Sequence, residues 1–196
     1  MRYFGTVLIM MLLVACAKPN DTVQQKLDNG VTIADILTEF PVDSLYGKTY
    51  AQGLIYHVNT NTNTVYVMSK VNVSTSAVWG CAGSTINGAD SIAWGYGNKN
   101  TEEIIADCGN SQAAAGLCYY DNNEGRTDWY LPSAEEAFFI YNNVYLNGYG
   151  NFSSSDELWS SSEIDGNQAY FMNFSSGNYE AGNKNDFKQV RAVRKE

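Results

Sequence analysis

Asp128-Trp129-Tyr130-Leu131-Pro132-Ser133-Ala134-Glu135-Glu136 is the stretch on which the fold turns. Trp129, Tyr130 and Leu131 have the bulk and apolarity of a short buried strand. Pro132 ends that strand, because it has no N–H to give to a ladder. Ser133 then reads as a helix N-cap. Glu136 stands three residues on, where its carboxylate can reach back to the cap N–H and close a capping box. The helix that follows carries Ala134, Ala137, Phe138, Tyr141, Val144 and Tyr145 at helical spacing, a continuous stripe for a core. A tryptophan strand feeding an amphipathic helix is a nucleus for an α+β domain.

The flanking sequence supplies partners for it. Residues 53–58 and 64–68 are two apolar strands around a polar turn, which predicts a hairpin. Residues 77–81 form another short apolar run. Glycine and small residues dominate 83–98, which predicts a long ordered loop. Asn100 with Glu103 reads as a second capping box, opening a short helix through Ile104, Ile105 and Cys108. Ser111 reads as the cap of another helix, running to about Tyr119. Residues 157–160, 168–174 and 187–194 are strand-like, and the latter two alternate as half-buried antiparallel strands do. Trp79, Trp129 and Trp159 belong in the core on this reading. No internal repeat and no second domain is visible.

The first residues read as an export signal. Arg2 is a positive n-region, and residues 7–14 are an apolar run too short to span a bilayer. They end in Leu13-Val14-Ala15-Cys16, which looks like a bacterial lipobox. This implies cleavage before Cys16 and lipidation of that cysteine, so 1–15 is a signal peptide. Residues 16–45 are then a tether with one helical turn at 32–37, and 46–196 is the domain. The expected address is the cell envelope, lipid-anchored in the outer membrane, with the lipid as the only membrane contact.

A net charge of −9 on 196 residues argues against nucleic acid, anionic lipid surfaces and polyanionic glycans as partners. The excess is aromatic instead, with 14 Tyr, 8 Phe and 4 Trp. Three cysteines remain after Cys16. Cys118 shares a helix face with Ala114 and Leu117 and reads as a buried thiol, which leaves Cys81 with Cys108 as the preferred disulfide. A zinc site is not expected, because no Cys-x-x-Cys pair exists and His57 is the lone histidine.

Taken in order, Tyr50-x-x-Gly53-Leu54-Ile55-Tyr56, Trp79-Gly80-Cys81, Gly97-Asn98-x-Asn100-Thr101, Cys118, Asp128-Trp129-Tyr130-Leu131-Pro132-Ser133-x-x-Glu136, Leu158-Trp159-Ser160-Ser161-Ser162-Glu163 and Val190-Arg191-Ala192-Val193-Arg194 form a pattern. It resembles the Lcl C-terminal-like domain family of bacterial surface lipoproteins, over about residues 46–194. The resemblance implies a C-type-lectin-like fold: short antiparallel sheets, two or three helices, and long ordered loops that carry any ligand site. Its namesake is known for glycan attachment. The proline-containing calcium–sugar loop of calcium-dependent lectins has no counterpart here, since the prolines are Pro19, Pro41 and Pro132. Asp121-Asn122-Asn123-Glu124-Gly125 offers oxygen ligands but not EF-hand spacing, and reads as a turn. No cofactor is expected.

Enzyme signatures are absent. No Gly-x-Ser-x-Gly accompanies His57, no phosphate loop is present, and Ser160, Ser161 and Ser162 read as partners for backbone groups. Paired glycosidase carboxylates need no motif, so they stay open. Arg191 and Arg194 fall on opposite faces of the last strand, one expected in an ion pair and the other in solvent. The expected function is recognition of a neutral glycan or an envelope or host protein, without catalysis. A structural role in an envelope complex is the alternative, and a cryptic enzyme the third reading. Rings stacking on sugar faces, with amides and carboxylates on the hydroxyls, single out Trp94, Tyr96, Asn98, Tyr149, Asn151, Asp165 and Tyr170.

Overall fold

The computed structural model describes residues 21–122 and 125–196. The expected signal peptide, the expected lipidation site Cys16 and the first residues of the expected tether lie outside the described residues, as do Asn123 and Glu124.

The chain forms an α+β fold of two sheets and several short helices. The hairpin is β2 (Gly53–Asn59) with β3 (Thr64–Met68), flanked by the two-residue β1 (Thr49–Tyr50) and by β9 (Val193–Lys195) in the order β1-β2-β3-β9. The second sheet combines β4 (Ser74–Ala77), β5 (Glu157–Glu163), β6 (Gln168–Asn173), β7 (Asn178–Asn183) and β8 (Lys188–Val190) in the order β4-β8-β5-β6-β7. Every pairing is antiparallel except β5 with β8. The C-terminal segment is therefore two strands rather than one. Its first half joins one sheet and its second half the other.

Along β3, Val65 and Val67 enter one hydrophobic cluster while Tyr66 and Met68 enter another. A strand apolar at successive positions is buried on both faces, and each face needs a cover. One cover is the helix α5 (Ala134–Ile140), and the other comes from the segment read above as a tether. That segment folds into α1 (Val23–Asp28), α2 (Ile33–Ile36) and a 3-10 turn (Val42–Leu45), and sends Val23, Leu27, Ile33, Ile36 and Leu45 into the core. Thr22 and Gln25 close a capping box on α1, and Thr32 caps α2. The packed domain thus begins more than twenty residues before Tyr46.

The capping box of Ser133 and Glu136 is formed, with both reciprocal hydrogen bonds. The preceding strand has contracted to a single bridge, Tyr130 to Val193. The helix stripe is rotated from expectation. Ala134, Ala137, Ile140, Asn143 and Val144 face inward, and Phe138 is exposed. A π-helical segment, Tyr141–Tyr145, follows α5 and widens the turn, which shifts the inward face. A bulge in β2 leaves Tyr56 without a strand partner, and Asn143 Nδ2 donates to its carbonyl at 2.9 Å.

The other helices start elsewhere than their sequence caps suggest. Helix α3 (Gly97–Cys108) begins three residues before Asn100, which is buried inside it and donates to Ser91 O at 2.7 Å. Helix α4 (Ala114–Tyr119) begins three residues after Ser111. Both arginines are buried. Arg191 donates to Asn72 Oδ1, Ser69 O and Gly150 O, with no direct carboxylate partner, and burial lowers its pKa to about 10. Arg194 pairs with Asp128 and Glu196. Neither is solvated: Arg191 is enclosed with the carbonyls of Ser69 and Gly150, and Arg194 also donates to Ala51 O.

Candidate functional site

The ordered loop of residues 83–96 brings the first turn of α3 to the surface. It is held from below by a buried ion pair between Lys184 and Glu163. Glu163 accepts from Ile86 N at 2.9 Å and Lys184 Nζ donates to Ser84 O at 2.9 Å. The loop's far end is held by Glu135, whose Oε2 accepts from Trp94 N at 2.8 Å. The serines of β5 also serve this loop, since Ser162 Oγ donates to Ser91 O at 2.8 Å and accepts from Ala134 N.

Three segments then converge on a cleft of about 560 Å³. Helix α3 contributes Asn98 and Glu102, joined by an Asn98 Nδ2 to Glu102 Oε1 hydrogen bond of 2.9 Å. The end of α4 contributes Tyr119 and Tyr120, 40% and 56% exposed, followed by Asp121 and Asn122. The opposite wall is Thr127, Asp128 and Trp129, with Asp128 held by Arg194 at 3.0 Å. Trp129 is 3% exposed, and its buried indole N–H has no hydrogen-bond partner. An unpaired buried donor calls for an acceptor.

A second depression of about 350 Å³ adjoins the first, shares Asn98 and Asp128 with it, and is completed by Tyr66, Gly95, Tyr130 and Lys195. Tyr130 donates to Glu136 Oε1 at 3.3 Å, and Ser133 N donates to Glu136 Oε2 at 2.8 Å. Glu136 has no exposed surface. Burial raises its pKa to about 7 against the pull of hydrogen bonds from Ser133, Tyr130 and Gly95. Burial, then the nearby Glu136, raises the Tyr130 and Tyr66 hydroxyls as well, so both stay protonated at neutral pH. Gly97 is required here. A Cβ on it would lie 2.1 Å from Glu136 Oε2. The cleft thus offers tyrosine ring faces, amide groups and carboxylate acceptors on a rigid floor, which is equipment for holding a polyhydroxyl compound.

No protein-family model matches the chain, and no curated protein is similar to it.

Of the seven loop residues singled out from the sequence, Asn98 lines this cleft. Tyr96 is two residues away and 44% exposed, with Lys99 Nζ 6.0 Å from its ring centroid. Trp94 is half-buried and packs against His57, Tyr66 and Phe139 at 4.3, 4.7 and 4.9 Å between centroids. Tyr149 lies against Gly47 and beneath Lys48, and Asn151 has a left-handed φ of 55° nearby. Asp165 accepts from Asn167 N and Gln168 N in the β5–β6 turn. Tyr170 packs edge-on against Tyr179. Trp94, Asp165 and Tyr170 are thus engaged within the fold, and Tyr149 and Asn151 belong to a different loop.

The residues that sequence reasoning passed over are Glu102, Tyr119, Tyr120, Asn122, Thr127 and Asp128. One signal was available: Tyr119-Tyr120 followed by Asp121-Asn122 places two rings and two polar side chains beyond the last core position of α4. The cysteines Cys81 and Cys108 are paired, with Cα atoms 6.0 Å apart, and Cys118 is a buried free thiol. Among the described residues, no group of three or more His, Cys, Asp or Glu side chains could hold a metal ion, and no helix is long and apolar enough to cross a membrane.

Proposed function

We propose that this chain is a non-enzymatic lipoprotein of the cell envelope, anchored through Cys16, whose C-type-lectin-like domain binds a glycan in the cleft around Asn98 and Asp128. The likeness to the Lcl C-terminal-like domain rests on the ordered Trp and Ser motifs, and small sheets with a long ordered loop are consistent with it. The observation that carries the reading is the juxtaposition of the exposed Tyr119 and Tyr120 rings with Asn98, Glu102 and Asn122 across one cleft. Ring faces take the apolar side of a sugar, while amides and carboxylates take its hydroxyls.

The test is a glycan array probed with the full chain in mild detergent, with calcium and with EDTA. We expect hits that survive EDTA and that fall at least tenfold in Tyr120→Ala and Asn98→Ala variants of unchanged unfolding temperature. A blank array, or hits indifferent to both substitutions, would refute the assignment of the cleft. A second reading, as a component of an envelope assembly, draws on β7, a six-residue edge strand with no strand beyond it among the described residues.

A further inference from the structure

The chain carries few cations, and nearly all of those among the described residues are engaged. Lys26, Arg126, Lys184, Lys188 and Arg194 are in ion pairs. Lys48 and Lys99 stand over tyrosine rings. Arg191 is spent on carbonyl and amide oxygens, and Lys70 is engaged as well. Among the described residues Lys195 alone has a side chain without ion pair, hydrogen bond or ring contact, and it lines the second depression. Its neighbour there, Asp128, is already committed to Arg194 at 3.0 Å.

The two depressions share Asn98 and Asp128, so together they make one groove with distinct ends. The first end holds the exposed tyrosine rings and the carboxylates of Glu102 and Asp121, and repels negative charge. The second end has an unneutralised ammonium on a wall shared with Tyr66 and Tyr130. Building on the cleft reading above, we propose that the ligand is an oligosaccharide of at least two units that runs through both depressions, with a single anionic group on the unit that lies beside Lys195. A polyanion is disfavoured, because its remaining charges would meet Glu102 and Asp121. A carboxylate of an acidic sugar and a sugar phosphate present the same chemistry to an ammonium.

Three probes resolve this on the full chain by titration calorimetry: lactose, 3′-sialyllactose and lactose carrying a terminal phosphate monoester. Either charged probe is expected to bind about three- to tenfold more tightly than lactose at low salt. That advantage over lactose is expected to vanish in Lys195→Ala and to shrink in 0.5 M salt. Which charged probe shows it identifies the anion. The Lys195 side chain is exposed on β9, so its replacement leaves the core untouched. Equal binding of all three probes, indifferent to Lys195→Ala, would overturn the proposal and leave the glycan reading standing. Binding of none, together with a blank glycan array, would overturn both.

Discussion

Glu136 has two jobs in the capping box and beneath the cleft, and both depend on its burial. Its carboxyl rises from an ordinary 4.5 to about 7 because the charged form is desolvated. The fold therefore favours the neutral form. Its contribution is complete below pH 4.5 and is lost as pH rises through about 7, a change on the order of 3 kcal/mol. Glu136→Gln keeps an oxygen for the Ser133 N–H and removes the titration. We expect the wild-type unfolding temperature to fall relative to the variant's as pH rises from 4.5 to about 7, and the gap between the two curves to stay constant above that. Parallel curves would contradict the burial argument. His57 acts in the opposite sense in both proteins, because burial lowers its pKa and protonating it below pH 6.5 works against the fold, so it cancels in the difference between the two curves. The capping box was readable from Ser-x-x-Glu spacing alone. The burial of its carboxylate was not, because the cover is backbone: residues 95–97 lie over it, and backbone leaves no mark in a hydrophobic pattern.

At the scale of elements, the loop before α3 explains how an irregular segment becomes a rigid platform. Composition marked it as ordered and without regular structure, as observed. Its fastening could not be read, because Lys184 and Glu163 are 21 residues apart, beyond any local spacing rule, and meet only once β5 and β7 are in place. A buried pair of this kind is costly to break on one side, since the survivor keeps its charge without water. Lys184→Met should destabilise the domain by about 3–5 kcal/mol and release the loop. Adding Glu163→Gln should recover most of that loss, as the amide oxygen still accepts from Ile86 N. Urea denaturation of the two variants checks this, and a double variant no better than the single would argue against an uncompensated carboxylate. The misread caps follow the same logic. Asn100 has the residue type of a cap, but Ser91 O and the Ser161 hydroxyl hold it in the interior.

For the molecule as a whole, the main misjudgement was where the domain begins. Polarity of the first residues suggested a tether, yet Val65-Tyr66-Val67-Met68 is apolar at every position and so asks for cover on both faces. The helix after Ser133 supplies one. Val23, Leu27, Ile33, Ile36 and Leu45 supply the other, each worth roughly 1.5–3 kcal/mol of apolar burial. A chain starting at residue 46 should therefore be insoluble or bind a hydrophobic dye strongly, whereas one starting at residue 21 should unfold cooperatively. Equal unfolding temperatures for the two would restore the tether. The cleft was less legible than the fold, because its walls come from three segments that only tertiary packing brings together.

The division of the last strand has a consequence in time. Residues 188–190 pair with β4 and β5, while 193–195 pair with β3, so neither sheet is complete until the final residues arrive. Tyr66 with Lys195 and Ser74 with Val190 each close a loop of more than a hundred residues, and such distant pairings are slow to form. Until residues 188–195 dock, β4 and β3 each keep an open edge, and their docking closes both sheets in one stroke.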